Sequence, residues 1–224
     1  MTDQSPELTW HGDVPVAPRF DGPYFSLGDG LAETRHVFLA GNGLPERFRD
    51  GFQIAELGFG TGLNLFTALH AWRAAAPHGR MHFTSFERFA MPVADMTRAL
   101  AVYPEIAALA APILDTLDIS QTCLRAEAHD LSLRVILGDA RRTVPVWGGR
   151  ADAWFLDGFS PAKNPEMWDT SLLRAVARHT RAQGTAATYS AAGHVRRGLA
   201  DAGFDVARRP GYGRKRHMTV AQMP

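Results

Sequence analysis

Short apolar runs alternate with helix-like stretches along most of the chain from residue 52 onward. Runs with the length and composition of buried strands are FQIAEL, MHFTSFE, LSLRVILGD, ADAWFLD and GTAATYS. Between them, apolar residues recur at helical spacing, as Leu65, Phe66, Leu69 and Trp72 do after the first run. This alternation predicts an α/β fold with a mostly parallel sheet covered by helices on both faces.

Four further segments complete the predicted order of elements. Residues 91–102 are typical of a helix, and the Ala- and Leu-rich residues 103–130 are expected to hold one or two helices. Asn164 followed by Pro165 predicts a helix start, because Asn caps helices and Pro fits the first turn. The tail FDVARRPGYGRKRHMTVAQ predicts two strands around a Pro-Gly turn, which would enter the sheet antiparallel.

The chain divides into two predicted parts. Residues 1–50 are rich in glycine and proline and form an N-terminal extension packed on the main domain. Within it, PYFSLGDGLAETRHVFL is expected to give a short strand, a turn and a short helix. Residues 51–224 form a Rossmann-like domain.

Composition narrows the function classes. The net charge of +1 gives no global field for nucleic acid, so any such binding needs a local patch. The single cysteine, Cys123, excludes an internal disulfide and a cysteine-based zinc site, and no metal site is predicted. The N-terminus has no signal sequence and no stretch is apolar enough to span a bilayer. We therefore expect a cytoplasmic protein that is not bound to a membrane.

Three glycines, Gly58, Gly60 and Gly62, follow the first predicted strand in AELGFGTGLN. A glycine-rich turn there lets a ligand at the carboxyl ends of the strands approach the backbone closely. The spacing G-x-G-x-G departs from the dinucleotide fingerprint G-x-G-x-x-G. Glu56 would repel a pyrophosphate, but it suits a cationic ligand such as S-adenosylmethionine, which carries a sulfonium and an amino group. The glycines and Asn64 are assigned to the amino-acid end of this cofactor.

Two acids at the ends of the next strands fit the same ligand. Glu87 is expected to accept hydrogen bonds from both ribose hydroxyls. Asp139 is expected to accept from the adenine amino group, with Ala140 supplying a backbone N–H. Tyr24 and Phe25 are predicted near the methyl donor, because an aromatic face favours a cation.

The segment LDGFSPAKNPEMW carries a fourth acid, Asp157, at the end of its strand. Gly158, Pro161 and Pro165 impose a tight, rigid loop after it. A loop at this place would lie over the reactive end of the cofactor.

Several segments together resemble one family in order and spacing: YFSLGDGLAETRHVFLAGN, AELGFGTGLN, FTSFER, GDAR, LDGFSPAKNPEMW, SAAGHVRRGLADAGF and GYGRKRHM. The chain is similar, over residues 20–220, to the methyltransferase domain of the tRNA 5-methylaminomethyl-2-thiouridine biosynthesis proteins. The sequence departs from that family at His217, where the family has Glu, and at Arg88, where it has Lys.

The resemblance implies a class I S-adenosylmethionine-dependent methyltransferase with no FAD and no metal. The implied reaction methylates the aminomethyl group of a wobble uridine in the anticodon stem-loop of tRNA. Many family members also carry an FAD-dependent domain that first removes a carboxymethyl group, so a separate FAD-dependent enzyme of the same pathway is an expected partner. Asp157 is predicted to contact the cofactor, to orient the amine and to accept its proton.

A basic segment supplies the local patch that the net charge hides. Residues 193–217 carry seven Arg or Lys against two Asp, a net charge of +5. The predicted substrate contacts are Lys163, Arg196, Arg197, Arg214, Lys215 and Arg216.

Three other interpretations stay open at this point. One is a methyltransferase with the same fold that acts on a small molecule or a protein amine. Another is a nicotinamide oxidoreductase, which the G-x-G-x-G spacing disfavours. A third is a non-catalytic RNA-binding protein that kept the fold. This interpretation is disfavoured by the presence of all four acids expected in the site, Glu56, Glu87, Asp139 and Asp157.

Overall fold

The computed structural model describes residues 6–26 and 29–224, and a nine-stranded sheet lies at its centre. The strands are, in chain order, β1 (Thr9–His11), β2 (Val14–Ala17), β3 (Gly22–Pro23), β4 (Gln53–Leu57), β5 (Met81–Glu87), β6 (Asp118–Ile119), β7 (Cys123–Glu127), β8 (Leu131–Leu137), β9 (Ala151–Leu156), β10 (Thr180–Thr188), β11 (Asp205–Pro210) and β12 (His217–Gln222). The α-helices are α1 (Gly30–Thr34), α2 (Leu63–Ala75), α3 (Val93–Leu100), α4 (Pro104–Leu114), α5 (Ala140–Thr143), α6 (Thr170–Arg178) and α7 (Gly193–Asp201). A π-helical turn, Arg35–Leu39, continues α1, and short 3-10 turns span Pro18–Phe20, Ala40–Asn42, Val144–Val146 and Pro165–Trp168.

The large sheet has the strand order β11-β12-β10-β9-β4-β5-β8-β7-β6. Its five central strands, from β10 to β8, pair in parallel. The predicted C-terminal hairpin joins antiparallel beside β10, which confirms the Rossmann-like α/β fold with an antiparallel end. Every residue of β9 is buried, because helices cover both faces of the central strands.

Two apolar cores lie on the two faces of the sheet. One contains Phe66, Leu69 and Trp72 of α2, and the other contains Leu172 of α6 and Leu199 of α7. The helical stripes predicted from the sequence therefore face the sheet, from opposite sides.

One predicted helix start is wrong, and two strands of the large sheet were not predicted. Residues 103–130 hold one helix, α4, followed by the antiparallel strands β6 and β7, which extend the far edge of the sheet. The helix expected from Asn164 is split: Pro165–Trp168 is a 3-10 turn, and α6 begins only after Asp169. Asp169 provides the cap, because its side chain accepts a hydrogen bond of 2.7 Å from the Ser171 N–H.

The N-terminal segment forms a small antiparallel sheet, β1-β2-β3, and then α1. Strands β1 and β2 were not predicted, and part of the predicted turn, residues 27–28, lies outside the described residues. Leu31, Phe38 and Leu44 belong to the same apolar core as α2. The division at residue 50 stays a prediction. Nowhere in residues 6–26 and 29–224 is a helix long and apolar enough to cross a membrane.

Strand register brings the ends of the central strands together. Leu57, the last residue of β4, pairs with Leu156 of β9 on one side and with Phe86 of β5 on the other. The next residues, Gly58, Asp157 and Glu87, therefore lie side by side at the carboxyl edge of the sheet.

Candidate active site

A cleft of about 1240 Å³ lies at the carboxyl edge of the sheet. The predicted site residues that line it are Phe25, Gly58, Gly60, Asn64, Glu87, Asp139, Ala140, Asp157, Lys163, Arg214 and Lys215. Five predicted residues do not line it: Glu56, Gly62, Arg196, Arg197 and Arg216. The fold therefore gathers acids from different strand ends around one space.

The glycine turn forms a cradle that side chains would fill. Gly58 and Gly60 have φ values of +84° and +54°, which favour glycine. A Cβ on Gly58 would lie 3.4 Å from the Cα of Gly158, and a Cβ on Gly60 would lie 3.1 Å from Tyr24. Gly62 has a different role, because it precedes the first turn of α2 with a φ of +79°.

Asn64 links two carboxylates below the cradle. Its Nδ2 donates to Glu56 Oε1 at 2.9 Å and to Asp157 Oδ2 at 2.7 Å. Its Oδ1 accepts a hydrogen bond of 3.0 Å from the hydroxyl of Thr34 in α1. Because carboxylate oxygens accept hydrogen bonds, the Asn64 NH2 group faces the two acids, and its carbonyl oxygen is left to accept from the Thr34 hydroxyl. Sequence reasoning missed Thr34.

Glu56 is fully buried and supports the site from behind. Its relative exposure is 0%, and its second oxygen accepts a hydrogen bond of 2.7 Å from Ser85. Burial holds the pKa of this carboxyl well above its usual range. The structure thus places Glu56 where it reaches the cleft through Asn64, which differs from the direct ligand contact expected from the sequence.

Asp157 lies at the floor of the cleft, between Asn64 and the following loop. Its Oδ1 accepts a hydrogen bond of 2.8 Å from the Gly158 N–H. Burial raises the pKa of Asp157 to about 6, against the opposing effect of the Asn64 and Gly158 hydrogen bonds. A carboxylate with this pKa is mostly ionised at neutral pH and can still take up a proton.

Glu87 is held by the two loops that flank it. Its oxygens accept from the Gly60 N–H at 3.1 Å and the Phe89 N–H at 2.7 Å. Burial raises its pKa above the usual range, although these backbone bonds oppose the shift. Glu87 lines the cleft, so its carboxylate can also accept from hydroxyl groups of a bound ligand.

Asp139 is engaged by an arginine that the sequence analysis overlooked. Arg141 Nη2 lies 2.6 Å from its carboxylate, and the Arg141 N–H donates to it at 3.0 Å. The Arg141 hydrogen bonds hold the pKa of Asp139 below its usual range. Arg141 also pairs with Glu166 at 3.1 Å, so it joins this end of the cleft to the loop after β9.

Residues of the N-terminal segment close one wall of the cleft. Phe20 stacks on Phe159 with the ring centroids 4.5 Å apart, and Tyr24 meets the same ring edge-on at 5.4 Å. Lys163 pairs with Asp21 at 2.7 Å. The loop after β9 is therefore fastened to residues 20–24, and the Lys163 ammonium is already engaged.

The basic residues of the last third of the chain are divided. Arg214 and Lys215 line the cleft, whereas Arg196 and Arg197 lie on α7 and Arg216 is exposed outside it. Lys215 Nζ lies 2.6 Å from Glu33 Oε1, a carboxylate that sequence reasoning also missed.

His217 lies among these basic residues. Desolvation lowers its pKa, and the positive charges of Arg208, Arg216 and Arg196 lower it further.

Among residues 6–26 and 29–224, no group of three or more His, Cys, Asp or Glu side chains is arranged to hold a metal ion.

Known proteins match the chain in both sequence and structure. A family described as S-adenosyl-L-methionine-dependent methyltransferase matches residues 104–224. The tRNA 5-methylaminomethyl-2-thiouridine biosynthesis bifunctional protein MnmC of Chromobacterium violaceum is 42% identical over 98% of this chain and 34% of its own length. The corresponding protein of Chromohalobacter salexigens is 44% identical over 97% of this chain and 33% of its own. The chain thus spans about a third of the length of these relatives.

Solved structures agree with the sequence matches. The crystal structure of MNMC2 from Aquifex aeolicus superposes with a TM-score of 0.80 at 28% identity, covering 98% of this chain and 72% of that one. A precorrin-6y C5,15-methyltransferase from Geobacter metallireducens has a TM-score of 0.51 at 14% identity and covers 87% of each chain, which shows the fold alone. These matches confirm the resemblance and the fold predicted from the motifs.

Proposed function

This chain belongs to the S-adenosyl-L-methionine-dependent methyltransferase family, and we propose that it methylates 5-aminomethyl-(2-thio)uridine at the wobble position of tRNA to the methylaminomethyl form. The observation that carries the proposal is Asp157, a carboxylate with a pKa of about 6 at the floor of the cleft, beside the glycine turn. The relatives are named for the biosynthesis of tRNA 5-methylaminomethyl-2-thiouridine, which supports this choice of acceptor.

The lining of the cleft fits S-adenosylmethionine. The side-chain-free cradle at Gly58 and Gly60 would hold its amino-acid end. Glu87 would accept from the ribose hydroxyls, and Asp139 with the Ala140 N–H would lie at the adenine. When bound, this cofactor supplies an electrophilic methyl group on a sulfonium, whose positive charge suits a cleft floor bordered by carboxylates.

Asp157 acts on the methyl acceptor. A primary alkylamine has a pKa near that of lysine, about 10.4, so most of it is protonated and unreactive at neutral pH. Asp157 would take up one proton from the substrate ammonium before methylation, which frees the nitrogen lone pair, and would hold the resulting amine in position. The nitrogen then forms its bond to the methyl group as the carbon–sulfur bond breaks, and the product remains a secondary ammonium ion. Asn64 keeps the receiving oxygen in place, since its amide is fixed by Thr34. Positioning of this kind can contribute about 7–11 kcal/mol to catalysis.

The surface proposed for the anticodon stem-loop consists of Arg196, Arg197, Arg214 and Arg216. Lys163 and Lys215 are paired with Asp21 and Glu33, so a phosphate would have to displace these carboxylates first. With tRNA as the substrate, we expect the reaction to take place in the cytoplasm. The aminomethyl group would be supplied by an FAD-dependent enzyme of the same pathway.

A methyl-transfer assay tests the proposal. The purified protein is incubated with methyl-labelled S-adenosylmethionine and tRNA from cells that lack this methylation, and the labelled nucleoside is identified by chromatography and mass. Label in methylaminomethyl-uridine is the expected result. Label in no nucleoside, from a protein that binds the cofactor, would reject the tRNA substrate and favour a small-molecule or protein amine instead.

A further inference from the structure

A lysine from the protein itself occupies part of the cleft, in surroundings that suit any primary alkylammonium. The Nζ of Lys215 lies 2.6 Å from Glu33 Oε1 and 4.0 Å from the centroid of the Tyr189 ring. A carboxylate and an aromatic face are the two groups that together bind alkylammonium ions well. The Glu33 side chain is only 13% exposed, so its charge is largely shielded from water.

These two groups adjoin the proposed proton acceptor. The Tyr189 hydroxyl donates to the Gly158 carbonyl at 2.5 Å, which fixes the ring beside the residue that follows Asp157. Glu33 precedes Thr34, whose hydroxyl is connected to Asp157 through Asn64. The charges of Lys215 and Glu33 are both close enough to act on Asp157.

We propose that Glu33 and the face of Tyr189 form the subsite for the substrate's primary amine, and that Lys215 occupies this subsite until the substrate displaces it. This inference rests on the proposed function, because it takes the acceptor to be a primary alkylamine. The aminomethyl group and the end of a lysine side chain present the same charge and the same –CH2–NH3+ shape. Lys215 is thus a stand-in for the substrate, and Glu33 is the carboxylate that recognises it.

Lys215 is placed so that it can leave. It lies in the connection between β11 and β12, in which Gly213, Arg214, Lys215 and Arg216 are exposed. The start of this connection is fixed, since His36 Nε2 lies 3.0 Å from the Pro210 carbonyl oxygen. Withdrawal of the lysine therefore needs movement of a few residues only, and it frees Glu33 for the incoming amine.

The test separates recognition of the amine from recognition of the rest of the tRNA. Affinities are measured for two tRNAs that differ only in whether the wobble uridine carries the aminomethyl group, with S-adenosylhomocysteine present so that no transfer occurs. The ratio of the two dissociation constants reports the amine alone, because phosphate contacts cancel. Wild-type protein should bind the aminomethyl tRNA about tenfold or more tightly, the effect of one charge-assisted hydrogen bond.

Variants at the two ends of the ion pair should then behave differently. Glu33→Gln should bring the ratio close to one, whereas Lys215→Met should keep or increase it. If the ratio of dissociation constants falls equally in Glu33→Gln and Lys215→Met, the ion pair is only a structural link, and the proposal is overturned. Glu105→Gln is the matched control, because Glu105 forms an ion pair with Arg35 but does not line the cleft. It should leave the ratio unchanged.

Tyr189 gives a second test that does not depend on Glu33. Tyr189→Phe keeps the aromatic face but loses the hydroxyl bond to the Gly158 carbonyl, so it should reduce the ratio less than Tyr189→Leu does. Cofactor affinity, measured on the same samples, checks that each variant is folded. A wild-type ratio of one, in a protein that methylates the aminomethyl tRNA, would overturn the amine subsite alone. Absence of methyl transfer by the wild-type protein would reject the proposed function, and the subsite with it.

Discussion

Replacement of Asp157 by Asn should change how the stability of the protein depends on pH. Burial raises the pKa of Asp157 from 3.8 to about 6 in the folded protein. Below about pH 4 the group is protonated in both the folded and the unfolded chain. Between pH 4 and 6 the folded chain holds the proton more tightly, so the wild-type protein loses stability as the pH rises.

The size of the effect follows from the two pKa values. A difference of one pKa unit corresponds to about 1.36 kcal/mol, so the change from 3.8 to about 6 amounts to about 3 kcal/mol. The amide introduced by the substitution cannot ionise, so the variant escapes this loss. The stability of Asp157→Asn relative to wild type should therefore rise by up to about 3 kcal/mol between pH 4 and pH 7. In a chain of this size that corresponds to roughly 6–12 °C in melting temperature.

Thermal melts of both proteins at half-unit pH steps measure this difference. Most other groups titrate alike in the two proteins, so their contributions cancel in the stability difference at each pH. Asp118→Asn, at an exposed position in β6, is the matched control for loss of a carboxylate and should show no such gain. If the difference in stability between Asp157→Asn and wild type stays constant from pH 4 to pH 7, then Asp157 is not a buried carboxylate with a raised pKa, and the reasoning is refuted.

Three further variants, one of them a double substitution, test other parts of the site. Gly58→Ala puts a Cβ at a φ of +84° and 3.4 Å from the opposite loop, so it should cost about 1–2 kcal/mol of stability and weaken cofactor binding. The control Gly51→Ala, at a φ of +70° with open space around it, should cost stability alone. Calorimetry that finds the same cofactor affinity in Gly58→Ala and Gly51→Ala would contradict the role of Gly58 in cofactor binding. Thr34→Val leaves the buried amide oxygen of Asn64 without its donor, so it should lower the free energy of unfolding by about 1–3 kcal/mol in denaturant titrations and should also lower turnover. Wild-type stability and wild-type turnover in this variant would show that Thr34 does not orient Asn64. The double variant Arg214→Gln, Arg216→Gln should weaken tRNA binding and flatten the plot of log affinity against log salt by about 0.7–0.9 per arginine, and an unchanged slope would place the phosphates elsewhere.

Much of the fold was predictable because its central strands are buried on both faces. β4 and β9 are mainly apolar and almost fully buried, as is typical of parallel strands. Strands β6 and β7 were missed because they lie at an edge, where about half of the residues are exposed and no long apolar run marks them. Helix α6 was placed too early because a Pro at a first helical position fits a 3-10 turn as well as an α-helix.

The site was predictable where it depends on strand ends. Glu87, Asp139 and Asp157 were found because each follows an apolar run, and parallel strands bring their carboxyl ends to one edge. Contacts between distant segments gave no local signal. Thr34 and Asn64 are 30 positions apart, and Lys215 and Glu33 are 182 apart, so only the folded chain shows that they meet.

The rate of methyl transfer in wild type and Asp157→Asn tests the central claim most directly. A single turnover is followed at saturating S-adenosylmethionine on tRNA that carries the aminomethyl wobble uridine, and cofactor affinity is measured on the same two proteins. We predict methylaminomethyl-uridine as the product of the wild-type protein. In the variant the rate should fall by about a hundredfold or more, with cofactor affinity retained, because a positioned proton acceptor contributes that much. An equal rate in the variant, or no methylated wobble nucleoside from the wild-type protein, would contradict the account.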